Sequence, residues 1–279
     1  MPELPEVETT ARLIAPHITG RRVKAVDVHW ERTLGGQSPR ELEDGVVGAR
    51  ITRVWRRAKW VVIDLERRKR PAGHLLVHLR MTGRLIAKDK SLDPGPYVRV
   101  SMPLDRGVLH FIDVRKFGRF HYRADLAQVF AKLGPEPLGE DFTADWLRAA
   151  LRARKRMLKP LLLDQGFVAG LGNIYVDEAL HRSGLHPLRR ADRVPAKAAR
   201  RLHGEIQATL TEAIEREGSS FDKFYRTPEG QPGSYQHQFL VYGREDKPCR
   251  SCGRTIRKFV VGQRGTHVCT RCQPAPRSV

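Results

Sequence analysis

A chain of 279 residues is long enough for two modest domains, each with a core of its own. Its 51 Lys and Arg against 31 Asp and Glu give a net charge of +20, which points to a polyanionic partner, nucleic acid first. No long apolar stretch, charged leader or basic amphipathic tail favours a membrane, so a cytoplasmic protein is expected.

The chain opens Met1-Pro2-Glu3-Leu4-Pro5-Glu6-Val7-Glu8. Pro5 suits the start of a helix, Glu6 and Glu8 fall in a first turn where the dipole favours anions, and Val7, Ala11 and Ile14 share one face. By residue type this is an ordinary helix start. It also carries chemistry. Pro2 is small enough for Met1 to be trimmed, leaving a secondary amine that is partly neutral near neutral pH and able to form an iminium with an electrophilic carbon. Glu3 lies beside it as a proton donor or acceptor.

Strand-like patterns follow. Val26, Val28 and Trp30 alternate with polar residues, and apolar or β-branched runs cover 50–65, 74–87, 97–104 and 107–123. Turn signals at Thr82-Gly83, Asp93-Pro94-Gly95-Pro96 and Asp105-Arg106-Gly107 separate them at the spacing of a sandwich or barrel. Within the first run Lys59 shares parity with Val61, Ile63 and Leu65; if those face the core it begins the inward face, where partial dehydration would suit a proton carrier, but pattern alone favours a snorkelling or surface lysine. Met81 and Phe117 stand beside turn glycines and charged neighbours, which argues for exposed loop tips over core positions.

Gly134-Pro135-Glu136-Pro137-Leu138-Gly139 breaks the β pattern, and the domain boundary is placed there: 1–133, a linker 134–142, and a helical part 143–237. Thr143 can cap a helix carrying Trp146, Leu147, Ala150 and Leu151; Leu158, Leu161 and Leu162 lie on a second; further helices fit 173–183 and 195–217. Gly170-Leu171-Gly172-Asn173 precedes one helix start, where backbone N–H groups can meet a phosphate and Asn173 can cap the helix. Arg154, Lys155 and Lys159 extend a phosphate track in this reading, or are solvated surface charges. Segment 218–236 exceeds a plain connector and suggests a lid, with disorder as the alternative.

The remainder, 238–279, holds all four cysteines as Cys249-x2-Cys252-x16-Cys269-x2-Cys272, the spacing of a structural zinc site with two knuckles joined by a hairpin. Two disulfides fit poorly with close CxxC pairs in a cytoplasmic chain. Four thiolates close the tetrahedron, so one Zn²⁺ is expected to support structure and not chemistry.

The opening string, Arg56-Arg57-Ala58-Lys59, His78-Leu79-Arg80-Met81-Thr82-Gly83, Asp113-Val114-Arg115-Lys116-Phe117-Gly118, Gln165–Tyr175 and the four cysteines resemble the bacterial formamidopyrimidine-DNA glycosylases over nearly the whole chain. The resemblance implies an α+β multidomain fold: an N-terminal β-sandwich with a leading helix, a helix-two-turn-helix domain, and a zinc ribbon. It implies a bifunctional glycosylase and AP lyase for oxidised purines in duplex DNA, monomeric and at work on the bacterial nucleoid. By the same resemblance Pro2 is the nucleophile, Glu3 the acid, Lys59 a proton carrier and Glu6 an accessory group ordering water or the base. Met81 and Phe117 would be wedges that fill the hole left by an extruded base, with Arg115 on the orphaned partner; Arg154 and Asn173 would contact phosphates, and Arg264 would grip those of the damaged nucleotide. Three residues depart from the usual loops: Arg80 stands where Gly is common, Val114 where Pro is, and Lys116 where Arg is. Leu4 favours the purine branch over the endonuclease VIII-like sister family, which typically has Gly there. Two further readings, a non-catalytic binder of damaged DNA and an RNA-binding zinc ribbon, are disfavoured by Pro2, Glu3 and Lys59 and by the lack of stacking aromatics, respectively.

Overall fold

The computed structural model describes residues 1–88, 95–221 and 225–276. Leu92, Asp93 and Pro94 of one expected turn, and residues 222–224 of the expected lid, lie outside the described residues. The chain groups into two units, one formed by Met1–Ala131 with Arg216–Ser234, the other by Lys132–Glu215 with Tyr235–Val279.

In the first unit, helix α1 (Leu4–Ile18) is followed by β1 (Asp27–Val28), α2 (Pro39–Val46), β2 (Arg50–Arg57), β3 (Trp60–Arg67), β4 (Arg70–His78), β5 (Gly83–Lys88), β6 (Val98–Pro103), β7 (Val108–Asp113), β8 (Arg119–Arg123) and the short α3 (Ala127–Phe130). The strands form two antiparallel four-stranded sheets, β1-β6-β7-β5 and β2-β3-β4-β8. Alternating residues from both sheets meet in one core with the apolar face of α1: Val61, Ile63, Leu75, Val77 and Phe120 from one sheet, Val100, Met102, Leu109 and Phe111 from the other, and Val7, Ala11 and Ile14 from the helix. Phe111 and Phe120 face each other with ring centroids 5.9 Å apart. This is a β-sandwich, as the period-two pattern requires of sheets with one buried face.

Two of the apolar runs each divide between the sheets. The run 74–87 is β4 and β5, and 107–123 is β7 and β8; in each case the chain crosses from one sheet to the other through a short loop. Register makes the two crossings neighbours, since Gly83 pairs with Asp113 in one sheet and His78 with Arg119 in the other. Trp60 pairs with His78, so the β2–β3 hairpin bearing Lys59 ends at the same edge. Arg56, near the end of β2, bonds Glu8 at 2.8 Å and ties α1 to that hairpin. The fold thus gathers the chain start, Lys59 and both loops at one end of the sandwich.

The second unit holds α4 (Ala144–Arg152), α5 (Leu158–Leu162), α6 (Asn173–Ser183), α7 (Ala196–Glu215) and the hairpin β9 (Arg257–Val261) and β10 (Arg264–Val268). Thr143 caps α4 by accepting the Trp146 N–H at 3.1 Å. Gly262 (φ +55°) and Gln263 (φ +63°) make the two-residue turn between β9 and β10, the left-handed pair that matches strand twist and delivers Arg264 to the first position of β10. The units differ from the sequence-based division: Arg216–Ser234, expected with the helical part, groups with the sandwich, while the linker 134–142 and the cysteine-bearing remainder, expected apart, group with the helices. The physical reason for the first is a hydrogen bond across 213 residues of sequence, from the Ser219 N–H to Glu6.

Candidate active site and metal centre

Pro2 is buried behind an exposed Met1. Its nitrogen is an amide acylated by Met1 and stands in for the secondary amine that removal of Met1 would free. Glu3, also buried, is the N-cap of α1. Glu6, three residues on, reaches back so that one carboxylate oxygen accepts the Glu3 N–H at 2.8 Å, which fixes the entry to the helix. The other oxygen accepts the Ser219 N–H, also at 2.8 Å. A buried carboxylate needs such donors. Gly218, at φ +77°, lets this approach happen: a Cβ there would sit 2.8 Å from the Glu6 carboxylate. Tyr225 closes the contact from the far side of the segment, its hydroxyl 3.4 Å from the Glu6 carbonyl oxygen; burial and the Glu6 charge push that phenol well above its usual range. Glu6 is therefore the post to which both the chain start and the 216–234 segment are fastened.

Lys59 is buried at the β2–β3 turn, following Ala58 at φ +53°. Beside it Trp60 stacks on His121 (5.4 Å between centroids) and meets His78 edge-on (4.8 Å). His78 accepts the Arg80 N–H at Nδ1 (3.1 Å), which requires a bare nitrogen there. Burial, then the cations of Arg80, Lys59 and Arg119, push the His78 imidazole down to about 3; burial with Arg123 and Arg119 pushes His121 down to about 4. The cations of Lys59, Arg80 and Arg119 thus stand beside two neutral imidazoles at this end of the sandwich.

The two crossing loops share one buried carboxylate. Asp113 Oδ1 accepts from the Thr82 hydroxyl of the other loop and from the Arg115 N–H (3.2 Å), while Oδ2 accepts the Gly118 N–H at 2.7 Å. Thr82 Oγ1 in turn accepts the Arg115 N–H at 3.1 Å. Around this hub Phe117 stands 48% exposed, Met81 is half-buried, and Arg115 is exposed with its guanidinium 5.0 Å from the Phe117 ring. Of the substituted positions, Arg80 (φ +55°) and Lys116 (φ +60°) both take left-handed backbone that strains a residue with a Cβ. Lys116 is held by cation–π contact, its Nζ 3.8 Å from the Trp30 ring centre.

In the second unit Arg154, Lys155 and Arg264 are exposed. Lys159 is not: it has no exposed surface, pairs with Asp177 at 2.7 Å, and donates to Gly265 O (3.0 Å) and Thr266 Oγ1 (2.9 Å) of β10. Its expected place on a phosphate track is thus corrected: it braces the hairpin that carries Arg264. Asn173 is the first residue of α6 and not its cap, which is Gly172; its Nδ2 donates to Gly265 O at 2.9 Å, and its Oδ1 is buried with no partner among the described residues. Asp177 Oδ2 accepts the His267 N–H at 2.9 Å, and the fully buried Glu178 accepts three backbone N–H groups, from Leu240, Val241 and Tyr242, at 2.8–3.0 Å. Sequence reasoning assigned no role to Asp113, Asp177 or Glu178. Their signal was an acid within an apolar or Gly-flanked stretch, where an unpaired charge would be too costly to keep.

The cysteine sulfurs of Cys249, Cys252, Cys269 and Cys272 lie within 4.8 Å of one another, with Cys249 and Cys269 buried. Four thiolates converging from two knuckles fit one tetrahedral Zn²⁺ and leave no position open for chemistry. Further bonds cross the site, including Cys272 N–H to Cys269 Sγ at 3.5 Å.

Three family models match consecutive parts of the chain: formamidopyrimidine-DNA glycosylase N-terminal domain over residues 1–120, formamidopyrimidine-DNA glycosylase H2TH domain over 133–224, and a zinc finger found in FPG and IleRS over 246–275. Formamidopyrimidine-DNA glycosylase of Bacillus licheniformis is 42% identical, covering 98% of this chain and 99% of that one; the enzyme of Xanthomonas oryzae pv. oryzae is 40% identical, covering 98% and 100%. Among solved structures, Lactococcus lactis Fpg (MutM) in complex with N7-benzyl-Fapy-dG DNA superposes with a TM-score of 0.89 at 33% identity, covering 98% and 100%. The MutM (FPG) protein of Thermus thermophilus gives 0.86 at 40% identity, covering 98% of each chain. With its sandwich, its helical unit and its four-cysteine hairpin, the chain belongs to the formamidopyrimidine-DNA glycosylase family.

Proposed function

We propose that this protein is a DNA repair glycosylase and AP lyase that excises oxidised purines, 8-oxoguanine and formamidopyrimidines, from duplex DNA and then cleaves the strand. The observation that carries the reading is the chain start: a proline next to a buried glutamate, both fastened to a rigid helix by Glu6. After Met1 is removed, the Pro2 amine attacks C1′ of the damaged nucleotide while Glu3 protonates the sugar ring oxygen. The base leaves as the ring opens, and the iminium on Pro2 stays cationic, which labilises the neighbouring C–H bond for β- and then δ-elimination. Lys59, buried beside the same edge, serves the proton transfers, and Arg264 holds the phosphates during the last elimination. Met81 and Phe117 fill the vacated stack and Arg115 pairs with the orphaned base. Arg154, Lys155 and Asn173 hold phosphates. Zn²⁺ supplies no chemistry; its thiolates keep the Arg264 hairpin folded.

Relatives in solved structures are bound to Fapy-dG and carbocyclic 8-oxo-G DNA, which supports the purine assignment, as does Leu4. We place the functional boundary at the 134–142 linker and infer a monomer acting on the bacterial nucleoid. Among the described residues no helix is long and apolar enough to cross a membrane. Borohydride trapping on a duplex with one 8-oxoguanine tests the proposal: a covalent protein–DNA adduct is expected, and binding without any adduct would leave only a binder of damaged DNA. Glu3→Gln is expected to impair base release and to spare cleavage at a pre-formed abasic site, whose open aldehyde no longer needs the acid.

A further inference from the structure

Helix α6 presents four polar residues on one face, Asn173, Asp177, Glu178 and His181, at the i, i+4, i+5 and i+8 positions that stack along a helix. Three of them fasten the zinc-bearing region: Asn173 binds Gly265 O, Asp177 the His267 N–H, and Glu178 the 240–242 backbone. The fourth reaches the metal centre itself. His181 is 5% exposed, and its Nε2 lies 3.5 Å from Cys249 Sγ, the more buried sulfur of its knuckle.

We infer that His181 is an outer-sphere partner of the zinc, donating an Nε2–H hydrogen bond to the Cys249 thiolate. Four thiolates on Zn²⁺ leave a net charge of −2, and an N–H aimed at one sulfur draws charge from it in a setting that water does not reach. The tautomer follows from the surroundings. His181 Nδ1 is buried with no partner among the described residues. With the proton on Nε2, the donor meets a sulfur anion and only a lone pair goes unmatched. With the proton on Nδ1, a buried N–H would lack an acceptor while a lone pair faced a thiolate. The same helix that carries Asn173 and Asp177 thereby joins the metal centre to the footing of the Arg264 hairpin. This inference rests on the four-thiolate site and stands apart from the glycosylase reading.

The test uses the zinc-loaded full chain. Zinc transfer to a chromogenic chelator is expected to be about tenfold faster or more in His181→Phe, which keeps the bulk and loses the donor. The thiolate-to-metal charge-transfer band of the Co²⁺-substituted protein should move to lower energy in the same variant. His181→Gln, which retains an N–H, should recover part of both effects. A readout needing no variant is the imidazole ¹⁵N spectrum of the zinc-loaded protein, where His181 should be protonated at Nε2 and bare at Nδ1. Release rates within twofold of one another with an unmoved Co²⁺ band, a Gln variant no better than Phe, or a proton found on Nδ1 would each overturn the assignment.

Discussion

At the scale of single residues, the site is decided by which charges are kept and which are refused. Glu6 stays a useful post because two backbone N–H groups meet its carboxylate, whereas His78 and His121 are pressed into neutrality by burial and by the cations around them. Acid stability follows from this. An unfolded histidine takes its proton near 6.5, while folded His78 does so only near 3 and His121 near 4, so between those values the unfolded chain holds more protons. Stability is therefore full above pH 6.5 and falls on acidification, by up to about 1.4 kcal/mol per pH unit for each histidine. Denaturant titrations from pH 7.5 to 5 should show the slope, and His78→Leu should remove the His78 share of it and leave that of His121; a stability that is level across this range would remove His78 and His121 as its source. Lys59 and Lys159 show how far residue-level reading goes. Lys59 is buried, where its residue pattern favoured the surface and only the resemblance put it inside; Lys159 was grouped with Arg154 and Lys155 by nearness in sequence, although Leu158, Leu161 and Leu162 around it mark a buried turn.

At the scale of elements, the two crossing loops, which carry the proposed wedges, behave as one object because Asp113 holds both. Asp113→Ala would leave the Gly118 N–H and the Thr82 hydroxyl short of an acceptor, at roughly 1–3 kcal/mol for each buried group left unmatched, while the Arg115 N–H keeps Thr82 Oγ1. Loosening should appear as slower extrusion of the damaged base, read by a fluorescent base analogue opposite or beside the lesion, with cleavage of a pre-formed abasic site less affected. Equal loss on both substrates would count against a role confined to the wedges. A parallel case is Gly218, where a Cβ would face both a φ of +77° and the Glu6 carboxylate at 2.8 Å. Gly218→Ala should cost about 1–2 kcal/mol for the backbone alone and release the 216–234 segment, detected as faster amide exchange at Ser219. The elements themselves were largely legible: Thr143 caps its helix, and the apolar faces of α1 and α4 follow the helical period. What pattern could not supply was sheet membership. The runs 74–87 and 107–123 show their turns, beside Gly83 and Gly118, but not that each turn is a crossing between sheets, since a two-residue period says which way a side chain points and not which strand lies beside it.

For the whole molecule, the charge of +20 sets how tightly and how salt-dependently DNA is held. With Lys159 withdrawn into its pair with Asp177, about four phosphates remain to be neutralised by Arg154, Lys155, Arg264 and their neighbours, so log K should fall against log salt with a slope of roughly −3.6. A flat dependence would contradict backbone tracking. Zinc removal should abolish duplex binding while the sandwich stays folded, because the four cysteines organise only the C-terminal hairpin and its anchorage to α6. Long-range anchorage of this kind was invisible in the sequence: Glu6 to Ser219 and Asp177 to His267 join residues 213 and 90 positions apart. In the proposed mechanism the chemistry of the whole molecule stands on Pro2. Mass spectrometry of the borohydride-trapped adduct, digested to peptides, measures it directly. The sugar remnant should be found on an N-terminal peptide that begins at Pro2, with no adduct when the terminus is blocked by an uncleaved tag. A remnant carried by Lys59 or another lysine, or an adduct formed at the normal rate with Met1 still in place, would contradict it.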